Sequence, residues 1–287
     1  MTDLILGTAQ FGSAYGITNT VGRIEDSEIA RILESAAEAG IREFDTAADY
    51  GDSQLRLGNL SPRGSRFITK FHLPDDGSAP TKANLYEDSL RQLRADSLSA
   101  VMFHKVSDLA DERVVQTIEI LEDARVNGLI ERAGVSIYDA DDLDLALRSF
   151  PGLSIVQILA NVLDRRLLDL PRLADLRAGG VTVHVRSAFL QGVLLGGIPG
   201  EHFSPLAPEL DRLRAIAQSR GLSLAGLALG FLRDHPVVDG VVVGVTTEQE
   251  LAGIAAGWAE PAVGDVGSAP ALPIELLDPR HWPRNPA

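Results

Sequence analysis

The sequence predicts an α/β chain closed into one (β/α)8 TIM barrel, a single domain over residues 1–287 with an irregular C-terminal tail over 260–287. Three observations predict it. Eight short apolar runs recur from end to end, most are separated by an amphipathic helical stretch, and no G-x-G-x-x-G follows any of them. Strict β/α alternation needs crossover connections, and crossovers make neighbouring strands parallel. The missing glycine fingerprint argues against an open doubly wound sheet. Barrels of about 250 residues fold as one unit, so the length fits one domain.

The first run is 4–7, followed by a Gly-rich loop through Tyr15 and Gly16. Over 26–39 the residues Ile29, Ile32, Leu33, Ala36 and Ala37 fall at helical spacing, with Asp26 or Ser27 as N-cap and Gly40 as the stop. Runs at 42–45 and 66–70 precede a helix over about 81–94, with Leu85, Leu90 and Leu93 turned inward. The run 100–104 leads to a helix over 111–127 that closes on Gly128, and then to the run 133–136. The last runs are 155–159, 181–185 and 241–245, with helices near Asp141, Leu167, Leu210 and Glu248. Gly and Pro interrupt every pattern at 74–80, at 196–208 and beyond Glu260, so these read as loops and a wrapping tail.

Composition narrows the chemistry. The absence of cysteine excludes disulfides, thiolate catalysis and thiolate-bound zinc, and it suits a reducing cytoplasm. The N-terminus lacks the basic region of a secretory signal, and no window reaches the roughly 20 apolar residues of a membrane span. A net charge of -14 repels phosphate backbones and anionic lipid. Small-molecule chemistry is expected, with no nucleic-acid or membrane partner and no metal.

The active site of such a barrel lies at the C-terminal ends of the strands. Three consecutive runs end in ionisable residues: Asp45 in FDTA, Lys70 in FITK and His104 in VMFH, with Tyr50 on the loop just after Asp45. Each has a bland reading by itself: a capping Asp, a solvated Lys, a His on a backbone carbonyl, a loop-filling Tyr. Together they share a purpose. A phenol is a poor acid at neutral pH, and an ammonium within about 4 to 6 Å lowers its pKa. Asp45 would hold Lys70 charged, and His104 would donate to a substrate oxygen. Tyr50 would then be general acid in reduction and general base in oxidation, with the hydride coming from a cofactor.

Beyond these four residues, an ordered series of motifs resembles the aldo-keto reductase superfamily over nearly the whole chain: LGTAQFG with YGI, GIREFDTAADYGDS, FITK, VMFH, GVSIY, VQILANVLDRR, RSAFLQGVLL and VVVGVTTEQEL. The resemblance implies a nicotinamide-binding barrel with Asp45, Tyr50, Lys70 and His104 as its catalytic tetrad. It further implies that Ser136 and Gln157 hold the nicotinamide carboxamide. Ser187, Leu190 and Gly192 would line the pyrophosphate, and Gly7 and Thr8 would join the cofactor wall. The loop carrying Gly244, Val245, Thr246 and Thr247 would lie beneath the adenosine end. Gln157 also reads as a strand-end hydrogen-bonder, and Thr246 with Thr247 as an N-cap.

Three departures stand out. Ile137 follows Ser136 where the family commonly has Asn, which removes a polar contact to the cofactor head. Arg186 stands where many members stack an aromatic ring on the nicotinamide; it would stack instead, bind an anionic substrate group, or point outward. Around the adenosine loop there is no Lys or Arg, while Glu248 and Glu250 are acidic and Ile254 replaces a frequent Asn. A carboxylate repels a 2'-phosphate and accepts from ribose hydroxyls, so NAD(P)H is expected with NAD(H) favoured over NADP(H). The expected activity is reduction of an aldehyde, ketone or sugar carbonyl, or oxidation of the alcohol. The alternatives are a non-catalytic cofactor-sensing subunit, like the potassium-channel β subunits, and a lyase or isomerase using bound NAD. Trp282, near His281 in the tail, would line the pocket or pack on the exterior.

Overall fold

The computed structural model describes residues 2–282. Its strands are β1 (Asp3–Gly7), β2 (Glu43–Asp45), β3 (Arg66–Phe71), β4 (Ala100–Phe103), β5 (Ala133–Ile137), β6 (Ile155–Leu159), β7 (Thr182–Arg186) and β8 (Gly240–Gly244). They close in sequence order, each parallel to the next, with β8 returning to β1 through Gly7↔Gly244. All eight predicted runs are strands, with no end moved by more than one residue.

The strand alternation separates two cores. Ile5, Ile68, Ala100, Met102, Ile155 and Val242 fill the barrel interior. The intervening residues, such as Leu6, Phe44, Val101, Val135, Val156 and Val183, pack outward against the helices. Two residues beyond the interior apolar layer, on the same side of each strand, come Gly7, Lys70, His104, Gln157 and Gly244. The period of two therefore aims them at the barrel mouth. The same alternation turns Ile137 outward, where it is fully buried in the outer core. Its side chain does not face the mouth.

Helices surround the barrel: α1 (Ala9–Gly12), α2 (Asp26–Glu38), α3 (Ser53–Leu60), α4 (Asp88–Leu93), α5 (Val114–Val126), α6 (Ala140–Ser149), α7 (Pro171–Ala178), α8 (Ala207–Ser219), α9 (Leu224–Arg233), α10 (Glu248–Trp258) and α11 (Ile274–Leu277). Several boundaries differ from expectation. Glu25 is the N-cap of α2 without a side-chain bond, and Asp26 instead sits in the first turn and accepts from Arg56 Nε. The helix expected over 81–94 is a π-type turn, Ala83–Glu87, running into α4, and Arg94 ends it at φ 51°. Asp111 ties Arg113 in a turn ahead of α5. The helix expected near Leu167 begins at Pro171, where proline's fixed φ suits a first turn.

Sequence reasoning missed α1, α3, α9 and α11. In α9 the buried face includes Gly226, Leu227, Ala228, Leu229, Gly230 and Leu232, because α8, α10 and β8 all pack on it. The tail beyond Glu260 carries α11 and packs Trp282 edge-on against Phe203, ring centroids 5.0 Å apart. Trp282 is therefore a packing residue and not part of the barrel-mouth cavity. Among the described residues no single helix is long and apolar enough to cross a membrane.

Candidate active site

At the C-terminal mouth β2 and β3 bring Asp45 and Lys70 together. Lys70 Nζ donates to Asp45 Oδ1 at 2.5 Å and to the Thr46 carbonyl at 3.1 Å, and Lys70 is only 2% exposed. Gln157 on β6 completes the grip, its Nε2 donating to Asp45 Oδ2 at 2.8 Å. The backbone carbonyl of Asp45 accepts from Thr8 Oγ1, and Ser53 Oγ on α3 donates to the Thr8 carbonyl, so Thr8 serves to place Asp45. Burial pushes Lys70 below the usual lysine range, and Asp45 opposes that shift.

Tyr50 arrives from the loop after β2. Lys70 Nζ lies 5.4 Å from its ring centroid, over the face, and among the described residues the phenol hydroxyl has no hydrogen-bond partner. The expectation that Lys70 lowers the Tyr50 pKa is corrected. Burial, then the negative charge of Asp45, pushes the phenol well above 10, outweighing the Lys70 ammonium beside the ring. His104, just past β4, meets Tyr50 edge-on at 5.7 Å between ring centroids. Burial holds His104 below the ordinary histidine value, so its ring is neutral near pH 7.

Two polar residues of this cluster escaped the sequence reading. Asp49 lies 3.0 Å from His104 Nδ1, too poorly aligned for a hydrogen bond, and 3.1 Å from His72 Nε2. The two imidazoles are stacked, so their lone pairs lie in separate planes and cannot converge on one cation without ring rotation. The only sequence signal was adjacency: Asp49 precedes Tyr50 and His72 follows Lys70 by two.

A cavity of about 480 Å³ opens from Asp45, Tyr50, Gln157 and Arg186 at one end to Thr246, Thr247, Glu250 and Ile254 at the other. Gly7, Thr8, Ser187, Gly192, Gly244 and Val245 also line it. Lys70, His104, Ser136 and Leu190 are not in its wall. Ser136 Oγ accepts from Arg186 Nε at 3.1 Å, and Leu190 is buried in the core beneath α8 and α9. After β7 the backbone is strained: Ser187, Leu190 and Gln191 have φ of 64°, 49° and 51°, and Gly192 continues at 95°. Left-handed non-glycine residues cost about 1 kcal/mol or more each and gather at functional loops. Thr18 Oγ1, from the loop after β1, donates to the Gln191 carbonyl at 2.8 Å and closes this side of the cavity.

At the far end Thr247 is the N-cap of α10, its side chain accepting from Glu250 N. Glu250 Oε2 in turn accepts from Thr246 N at 2.6 Å and from Thr246 Oγ1 at 3.0 Å. Both readings of this loop therefore meet in one place, since the capping residues also line the cavity.

The cavity suits an extended nicotinamide dinucleotide. It lies within the usual size range of ligand sites, and among the described residues Gln157 Oε1 is a buried acceptor without a partner at the end where a carboxamide N–H would sit. Comparison with known proteins agrees. The aldo/keto reductase family model matches residues 3–263, and the chain belongs to that family. It is an NAD(P)-dependent oxidoreductase of this type. It is 25% identical over 262 residues to the 6-dehydroglucose reductase of Novosphingobium aromaticivorans, covering 80% of this chain and 79% of the relative. It is 26% identical over 288 residues to the D-threo-aldose 1-dehydrogenase of a Pseudomonas species, covering 83% and 85%. Its fold matches an aldo/keto reductase from Klebsiella pneumoniae, solved with NADP and acetate, with a TM-score of 0.69, 22% identity and coverage of 90% and 86%.

Proposed function

We propose that the chain reduces the carbonyl of an aldehyde, ketone or sugar, or oxidises the matching alcohol, with Tyr50 as the proton donor and acceptor. The carrying observation is that Tyr50 and Asp45 line the cavity together, with His104 against the Tyr50 ring and Lys70 paired to Asp45 directly behind that wall. Bound nicotinamide supplies or takes the hydride. The rest is the work of side chains. Tyr50, held as the neutral phenol by its burial, delivers a proton to the carbonyl oxygen. The nearby Lys70 ammonium stabilises the phenolate left behind, and Asp45 with Gln157 keeps that ammonium in place. Neutral His104 orients the substrate oxygen through its ring N–H. A phenol pushed upward stays protonated at neutral pH, which is the form that reduction uses. The two relatives, a 6-dehydroglucose reductase and a D-threo-aldose 1-dehydrogenase, support a sugar-sized substrate.

The cofactor would be held by Gln157 at the carboxamide, the strained loop with Ser187 and Gly192 at the pyrophosphate, and the Gly244–Glu250 loop at the adenosine. Preference for NAD(H) is supported by the cavity wall, where among the described residues Arg186 is the only Lys or Arg and lies at the end opposite Glu250. Glu250 keeps Oε1 for a ribose hydroxyl while Oε2 caps α10. Titration of NADH and NADPH against Trp258 fluorescence checks this; NADPH binding tenfold tighter than NADH would overturn the preference. Tyr50→Phe tests the main reading. Turnover should fall by at least about 100-fold with cofactor affinity unchanged, and retained turnover would remove Tyr50 from the role.

A further inference from the structure

The mouth holds one cation that the proton-transfer machinery does not use. Arg186, the last residue of β7, lines the cavity and is half-buried. Nε donates to Ser136 Oγ at 3.1 Å, Nη2 donates to the Ile137 carbonyl at 3.4 Å, and the guanidinium stacks on the Tyr138 ring at 4.0 Å. Arg280 braces Tyr138 at 4.4 Å, and is itself tied to Asp278 and Asp139 at 2.6 and 2.7 Å. The arm is thus fixed in position before any ligand arrives. A guanidinium has five N–H donors; with two committed, three remain. Among the described residues no carboxylate lies within 4.0 Å to neutralise it. Asp45, at the same end of the cavity, is spent on Lys70 and Gln157.

We propose that Arg186 is a preorganised carboxylate-binding arm, and that the substrate is a carbonyl compound bearing a carboxylate, such as a sugar acid. The inference rests on the carbonyl-reductase reading above and names its substrate class. A planar guanidinium with free donors matches a carboxylate, and partial burial strengthens the bond. The chain's overall charge of -14 repels anions in general, so an anionic ligand needs such a local cation. The location points to substrate in preference to the cofactor's phosphates. Arg186 pairs in register with Leu159, two residues past Gln157, and its charge acts on Tyr50 and Lys70.

Paired substrates test this: glucuronate against glucose, and succinic semialdehyde against butanal, each with NADH and with NADPH. The acid of each pair should have at least a tenfold higher kcat/KM, carried mainly by a lower KM. Arg186→Gln should bring the ratio close to one, and Arg186→Lys should restore part of it. Neutral partners used equally well, or a ratio that survives Arg186→Gln, would overturn the proposal. If nothing is turned over with either cofactor, the reductase reading fails separately, and the arm is read by calorimetry with gulonate against glucitol. Gulonate should bind at least tenfold tighter to the wild type and lose that advantage in Arg186→Gln; equal affinities would refute the arm.

Discussion

His72 lies face to face with His104, ring centroids 4.8 Å apart and planes within 15° of parallel. Asp108, 3.9 Å from its Nδ1, and Asp49, 3.1 Å from its Nε2, raise His72 to about 9. His104, more deeply buried and beside Lys70, moves the opposite way. One ring is a cation and the other is neutral, which suits the neutral ring to hydrogen bonding with a substrate oxygen.

That difference sets a pH window. A histidine whose folded pKa is about 9, against an ordinary 6.5, adds stability that is complete below pH 6.5 and is lost as pH rises through 9. Thermal melts from pH 6 to 10 should show a loss in the wild type that His72→Gln lacks. Parallel curves for the two proteins would rule out the His72 pair as the cause.

The loop carrying Tyr50 rests backbone to backbone on α1. A Cβ added at Gly12 would lie 1.7 Å from the Tyr50 carbonyl oxygen and 2.9 Å from Ser53 N. Gly12→Ala must therefore push this loop away, at a cost of about 1–3 kcal/mol, and should lower kcat/KM by at least tenfold. Gly253→Ala is the control: on α10, nothing lies within 4 Å of the added carbon, so stability should hold or rise by about 0.5–1 kcal/mol. Equal activity in both variants would show that Tyr50 tolerates displacement.

Removing one member of the Asp45–Lys70 pair leaves an unmatched buried charge. Lys70→Met should cost about 3 kcal/mol in urea unfolding, while adding Asp45→Leu should recover much of that loss, since an apolar pair avoids the desolvation penalty. Activity should stay abolished in both. A double variant no more stable than the single would mean that Gln157 already satisfies the carboxylate that Lys70 leaves.

The barrel was legible in the sequence because each strand needs only a short apolar run, and each crossover needs a helix with one apolar stripe. All eight runs became strands, and Asp45, Lys70 and His104 could be assigned to their ends from local pattern alone. Alternation could have gone further: with Ser136 facing in, Ile137 had to face out. What local pattern could not reach depends on register and closure. Ser136 and Arg186 are 50 residues apart, and only the pairing of β5, β6 and β7 brings them into one hydrogen bond. Asp49 gained its two histidines the same way, from the ends of different strands. α9 was passed over although its residues are almost all apolar and keep a helical period. Periodicity along the chain thus determined the elements and the residues offered at their ends. Partners for those residues were decided by barrel closure, because charges and hydrogen bonds act over a few ångströms of space, whatever the distance in sequence.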